Sequence, residues 1–239
     1  MREDERVLVA NKMPGMVCEP GKAHRDDSLL NGLFALDGGR LAPALARLGE
    51  SRDWGLLHRL DRLTSGLVLC ALSIEAYESL RAAFEARQVR KSYLALARGQ
   101  LAPSGEIDQP ILEQVTNGMR IASIDPRGKP AVTRWRTIAR RGKYALLECD
   151  LVTGRLHQIR VHLASVGAPI AGDPLYESGG KARTGGRPPD DPLLLLHAWK
   201  LVYPDPASGE PVACEAAAPR RFARFVTEHD LPLPCNVEA

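Results

Sequence analysis

Residues 56–67 read LLHRLDRLTSGL, and the apolar run that follows on, Leu67-Val68-Leu69-Cys70-Ala71-Leu72, has the length of one buried strand. If 58–61 is extended, period-two geometry puts Arg59 and Asp61 on one side and His58 and Leu60 on the other, so a guanidinium and a carboxylate project together. Thr64-Ser65-Gly66 reads as a turn immediately before the strand. That places Asp61 on a loop at the edge of a rigid sheet, where functional groups concentrate. On these residues alone, a surface Arg–Asp pair ahead of a core strand is the commoner account.

Toward the N-terminus, 7–10 (VLVA) is a strand candidate, and the turn formers Met13-Pro14-Gly15 followed by the apolar Met16-Val17-Cys18 predict a hairpin. Asp27-Ser28 caps a short helix over 29–36 that ends at Gly38-Gly39. Signals between 39 and 54 are mixed. Toward the C-terminus, Ser73 caps a helix whose apolar Ile74, Tyr77, Leu80 and Phe84 repeat at helical spacing, and a strand follows over 92–97. Residues 132–138 and 144–152, joined at Arg141-Gly142, predict an antiparallel hairpin, and 155–166 a helix with Leu156, Ile159, Leu163 and Val166 on one face. Residues 177–192 (ESGGKARTGGRPPDDP) read as a flexible surface loop, and 193–202 as the last strand. Strands interspersed with helices and short hairpins point to an α+β fold: one domain over 1–239, with a mixed, mainly antiparallel sheet flanked by helices and loops.

Composition narrows the class without deciding it. The 239 residues are 44% hydrophobic and 5% aromatic, so the core is aliphatic. A formal charge of +3 is too small to announce a nucleic-acid binder. The local clusters Arg87/Arg90/Lys91 and Arg134/Arg136/Arg140/Arg141/Lys143 read, taken singly, as solvated basic faces. Five scattered cysteines without a C-x-x-C pair argue for reduced cytosolic thiols rather than disulfides or zinc. No signal peptide is apparent, and no apolar run approaches the ~18–20 residues of a membrane span, so the expected location is cytoplasmic.

The 56–67 segment resembles the HRLDxxTSGL signature of the RluA-type family of RNA pseudouridine synthases at every fixed position, and further blocks match in the family's order. Residues 7–20 (VLVANKMPGMVCEP) resemble the opening N-K-P-x-G block, with Met13 between Lys12 and Pro14 where the family has the two adjacent. Lys91-Ser92-Tyr93 resembles the K-x-Y block, 153–176 the TGRxHQIRxHL and GD-xx-Y blocks, and Leu196-His197-Ala198 the late LHA strand. The likeness covers nearly the whole chain. Many family members carry an N-terminal S4-type RNA-binding domain, whereas this chain starts directly at the catalytic block, so the expectation is a catalytic domain without one.

The resemblance implies isomerisation of uridine to pseudouridine in ribosomal or transfer RNA by a monomer. Asp61 is then the catalytic carboxylate and Arg59 helps displace the target base. Tyr93 packs against the uracil, and Arg160, from the HQIR block, is the guanidinium that favours the charged carboxylate, with Arg155 its alternative. Substrate contacts are expected from Arg59, Arg62, Thr64, Lys91, Arg155 and His157, and Arg134 and Arg136 are further candidates for phosphate contacts. The reaction breaks the C1′–N1 bond and rejoins the base through C5 with no redox change or added group, so no cofactor is implied. No metal site is expected either: His157 and His162 stand i,i+5, about 140° apart on a helix. His58 and His197 read as structural histidines. Rival readings are an N-glycosidase that recruits Asp53 or Glu50 to activate water and a catalytically silent RNA-binding module.

Overall fold

The structure, a computed structural model, describes residues 2–21, 23–116, 118–179 and 194–234. In chain order its elements are β1 (Arg2–Glu3), β2 (Val7–Lys12), α1 (Leu29–Ala35), α2 (Ala42–Leu48), β3 (Ser65–Ala71), α3 (Ile74–Glu85), β4 (Arg90–Arg98), β5 (Ser104–Asp108) and β6 (Ile111–Thr116). They continue with β7 (Met119–Ile124), β8 (Val132–Arg141), β9 (Tyr144–Leu151), α4 (Gln158–Ser165), β10 (Leu196–Pro204), β11 (Pro211–Glu215) and α5 (Arg220–Glu228). The fold is α+β, with strands of mixed order flanked by helices. The chain divides into two compact units, one built from residues up to Arg90 with Ala198–Ala217, the other from Lys91–His197 with residues from Ala218 on.

In the first unit β2 lies antiparallel between β1 and β3, with Val7 opposite Ala71 and Lys12 opposite Gly66. β10 flanks β3, and β11 runs antiparallel to β10. Every residue of β3 is buried, which is why its sequence is a continuous apolar run rather than an alternating one. Leu80 and Ala83 of α3 pack on Val7, Val9, Leu67 and Leu69, together with Leu201 and Tyr203 of β10. Each such aliphatic side chain contributes about 1.5–3 kcal/mol by leaving water. Ser73 caps α3 as predicted, its hydroxyl accepting from the Ala76 N–H. Ser28 caps α1 in a reciprocal box with Asn31.

Two local expectations for this unit fail. Met16-Val17-Cys18 is not a second hairpin strand: β1 and β3 already occupy both edges of β2, and the Val17 and Cys18 carbonyls instead accept the Leu29 and Leu30 N–H groups at the start of α1. Gly66 is not in the turn, because β3 begins at Ser65. It has φ +115°, and a Cβ there would stand 2.2 Å from the Ala198 carbonyl oxygen and 2.7 Å from the Ala198 nitrogen, so only glycine lets β10 pass this closely.

In the second unit β4, β9, β8 and β5 are antiparallel neighbours in that order, and the β8–β9 hairpin forms as expected, with a register shift between Thr137 and Ala139. β6 and β7 make a separate ribbon, and a cluster of Ile111, Ala122, Ala131, Val161, Ala164 and Tyr176 fills the space beneath α4. α4 starts three residues later than predicted. His157 adopts the left-handed conformation (φ 51°), and the buried Gln158 holds the preceding loop in place, its Oε1 accepting from the Thr153 hydroxyl (2.8 Å) and the Arg155 N–H (3.0 Å). The expected loop 177–192 lies outside the described residues from 180 on, as does the first residue of the strand expected over 193–202.

Candidate active site

Asp61 opens a tight turn at the head of β3. Its carbonyl accepts the Thr64 N–H (3.0 Å), the closure expected of a β-turn with Asp in first position. The extended segment before it keeps the predicted alternation: Leu60 is buried, His58 Nε2 accepts the Leu69 N–H of β3 (3.1 Å), Arg59 is exposed and Asp61 half-buried. The buried Thr64 hydroxyl has no hydrogen-bond partner among the described residues. Arg62 is exposed, and Arg59 reaches the Glu19 carboxylate (2.9 Å).

What fixes this turn is backbone contact from the N-terminal segment. Lys12 is 1% exposed, and its Nζ donates to the carbonyls of Met13 (3.0 Å), Met16 (2.8 Å) and Arg62 (3.3 Å), using all three ammonium protons. The Gly15 N–H donates to the same Arg62 carbonyl (2.8 Å). Cys18 Sγ lies against both backbone groups of Leu60, 3.3 Å from the nitrogen and 3.5 Å from the oxygen. Desolvation lowers the Lys12 ammonium to about 8 against the pull of Cys18 and Asp61, and burial raises the Cys18 thiol. Asp61 is therefore presented by main chain that cannot shift unless the loop from Met13 to Cys18 also shifts.

Lys91, Tyr93, Arg155, His157 and Arg160, the other residues expected from sequence, lie in the second unit. Tyr93 is buried in β4 opposite Cys149 of β9. Lys91 is half-buried at the start of the same strand, lowered by desolvation to about 8. Arg155 is half-exposed and donates to the Pro130 carbonyl (3.1 Å). Arg160, on the first turn of α4, is 4% exposed, and its guanidinium grips Asp173 at two points: Nε to Oδ2 at 2.8 Å and a terminal nitrogen to Oδ1 at 2.9 Å. The Tyr176 ring lies 5.1 Å from the same guanidinium, and its hydroxyl contacts His157 Nδ1 at 2.8 Å while accepting the Ala122 N–H at 2.9 Å.

His162 is fully buried between the Thr133 hydroxyl (2.9 Å) and the Gln109 carbonyl (3.0 Å), a structural role. Arg134 and Arg136 are closed in ion pairs with Glu106 and Glu148. Residues beyond those picked from sequence are Lys12, Cys18, Gln158, Asp173 and Tyr176. A lone lysine ending an apolar strand was a legible signal for Lys12, and the GD-xx-Y block itself for Asp173 and Tyr176. The contact that defines Cys18 is with backbone and leaves no trace in sequence.

Residues 6–165 match the model of the RNA pseudouridylate synthase family. The chain belongs to this family. It is 37% identical over 230 residues to ribosomal large subunit pseudouridine synthase D of Nitrosomonas europaea, spanning 94% of this chain and 63% of that protein. The same-named protein of Xanthomonas campestris pv. campestris is 37% identical over 234 residues, with 94% and 67% covered. Among solved structures, the human RNA pseudouridylate synthase domain containing 4 superposes with a TM-score of 0.73 at 25% identity, covering 98% of this chain and 93% of that one.

Proposed function

We propose that this chain isomerises uridine to pseudouridine in large-subunit ribosomal RNA, with Asp61 as the essential carboxylate. The observation that carries the reading is the position of that aspartate: half-exposed on a turn whose main chain is pinned by Lys12, Gly15 and Cys18, at the head of a fully buried strand. Rigid support beneath an accessible carboxylate suits a reaction in which the base must turn over while C1′ stays in place. Asp61 either attacks covalently or stabilises positive charge at C1′ as the C1′–N1 bond breaks. C5 then bonds to C1′ and gives up its proton to solvent while N1 takes one up, so product and substrate have the same composition.

Arg160 is the guanidinium assigned to favour the charged carboxylate, and Tyr93 the aromatic assigned to the uracil; both assignments rest on the family pattern. The target nucleotide leaves its stack at a cost of a few kcal/mol. Arg59 fits the space it vacates, because its side chain is 62% exposed and its link to Glu19 is an exposed ion pair worth at most about 1 kcal/mol. Arg62, Thr64, Lys91, Arg155 and His157 complete the proposed substrate contacts. The names of the two bacterial relatives favour ribosomal over transfer RNA. The enzyme acts in this reading as a cytoplasmic monomer. Among the described residues no helix is long and apolar enough to cross a membrane.

The test uses in vitro transcribed large-subunit ribosomal RNA carrying tritium at uracil C5. Tritium release with intact RNA and a carbodiimide-reactive residue at one position is the expected result. Free uracil in the supernatant would make the chain an N-glycosidase instead, and turnover by Asp61→Asn would remove the carboxylate from its role.

A further inference from the structure

The tip of the β8–β9 hairpin and helix α5, both in the second unit, form a basic surface floored by rings. Tyr144 meets Phe225 edge-on at 5.7 Å and His229 at 4.8 Å, and Phe225 and His229 stack at 4.3 Å. The Lys143 ammonium lies 5.3 Å from the Tyr144 ring centre. Arg140 is anchored to the Gln100 side chain (2.6 Å) and the Leu101 carbonyl, which stiffens the hairpin end.

Arg141 and Lys143 at the hairpin tip, and Arg220, Arg221 and Arg224 on α5, are exposed. With Arg140 they make six cations against the two carboxylates of Glu228 and Asp230, a surplus of four where the whole chain carries only +3. The rest of the molecule is therefore net acidic, and the basic charge is concentrated here. Arg224 reaches Glu228 at 3.4 Å with both side chains more than half exposed, a pair that a stronger anion displaces easily. Farther down the same hairpin the pattern changes, because Arg134 and Arg136 are balanced by Glu106 and Glu148. The cationic excess thus belongs to the tip and the helix, not to the hairpin as a whole.

The strand register fixes the distance from Tyr93. Tyr144 pairs with Arg98 at the end of β4, whereas Tyr93 pairs with Cys149. The surface therefore begins five residues along the strand from Tyr93, about 17 Å away.

We infer that this surface is a second RNA-binding face that takes the phosphodiester backbone of structured RNA and holds it while the target uridine reacts elsewhere. The inference rests on the activity proposed above. Its physical basis is counterion release by lysine and arginine gathered on two elements that the Tyr144–Phe225–His229 rings pack together, independent of base sequence.

The experiment measures binding of the full chain to in vitro transcribed large-subunit ribosomal RNA across a salt series. Arg141→Gln/Lys143→Gln/Arg224→Gln is expected to raise Kd about tenfold near 0.1 M salt and to flatten the slope of log affinity against log salt by about 2, near 0.7–0.9 per lost phosphate contact. The charge-keeping variant Arg141→Lys/Lys143→Arg/Arg224→Lys should bind like the parent. Three outcomes each overturn the proposal: an unchanged slope in the neutral variant, an equal loss in the charge-keeping variant, or an equal loss when Arg47, Arg81 and Arg120 are neutralised instead. If the parent binds with the expected slope yet makes no pseudouridine, the proposed activity fails and the surface stands. If it makes pseudouridine and the neutral variant binds unaltered, the surface fails and the activity stands.

Discussion

Arg160 and Asp173 are locked face to face: two nitrogens of the guanidinium meet two carboxylate oxygens at 2.8 and 2.9 Å, with the side chains 4% and 0% exposed. Asp173 is itself immobilised, since its Oδ1 also accepts the N–H groups of Leu175 (2.8 Å) and Tyr176 (3.2 Å). A buried ion pair adds little net stability, but removing one member leaves an uncompensated charge at a cost of about 3–5 kcal/mol. Asp173→Ala should lower unfolding stability by about that amount in urea denaturation. Asp173→Asn, which keeps an oxygen for the two amides, should lose less. Arg160→Met should slow single-turnover isomerisation more than it weakens RNA binding; equal losses in both would overturn the role proposed for it beside the catalytic carboxylate.

The turn that carries Asp61 is held through main-chain groups, the Asp61 carbonyl accepting from Thr64 and the Arg62 carbonyl accepting from Lys12 and Gly15. Asp61→Asn should therefore fold with the parent's melting temperature and bind RNA with the parent's affinity while yielding no product. Circular dichroism, a binding titration and tritium release on one preparation check all three.

Lys12 makes stability depend on pH in an identifiable window. Its folded value, about 8, lies below the 10.5 of a free lysine, so between the two the unfolded chain holds more protons and stability rises as pH climbs from about 8 to 10.5. Lys91, also lowered to about 8, acts with the same sign, while the raised thiols of Cys18, Cys70 and Cys149 act oppositely above about pH 9. The difference between the parent and Lys12→Met isolates the one group. In urea midpoints taken from pH 7 to 10, the advantage of the parent over the variant should grow with pH. The variant should also turn over more slowly, since the loop from Met13 to Met16 loses its tie to Arg62.

Gly66→Ala tests the close passage of β10 over β3. A methyl group there meets main-chain atoms of Ala198, which cannot swing aside, and the backbone must also hold φ +115° with a side chain attached. A loss of about 2–4 kcal/mol in thermal or chemical unfolding is expected. A loss below 0.5 kcal/mol would mean that the two strands separate readily.

Legibility followed physical cause. β3, α3 and the β8–β9 hairpin were readable because burial imposes a period or a continuous apolar run. β6, with five of its six residues exposed or half-exposed and three of those polar, has no such imprint, and α5 buries only Phe222 and Val226. The start of α4 was misplaced because an i,i+3/i+4 pattern says nothing of a left-handed residue held by Gln158. At the site, Asp61 was legible through its family signature, whereas the clamp of Lys12, Gly15 and Cys18 acts on carbonyl and amide groups that every sequence possesses.

The Tyr176 hydroxyl joins the amide of Ala122, in the β6–β7 ribbon, to the ring of His157. One hydrogen atom is thus a built-in spectator of the region around α4: deuterium uptake at Ala122 is slow while the phenol stays seated and quickens when it leaves. Tyr176→Phe removes the latch without removing the ring, so isotope exchange at a single ribbon amide can time the loosening of a helix that the ribbon itself never has to resemble chemically.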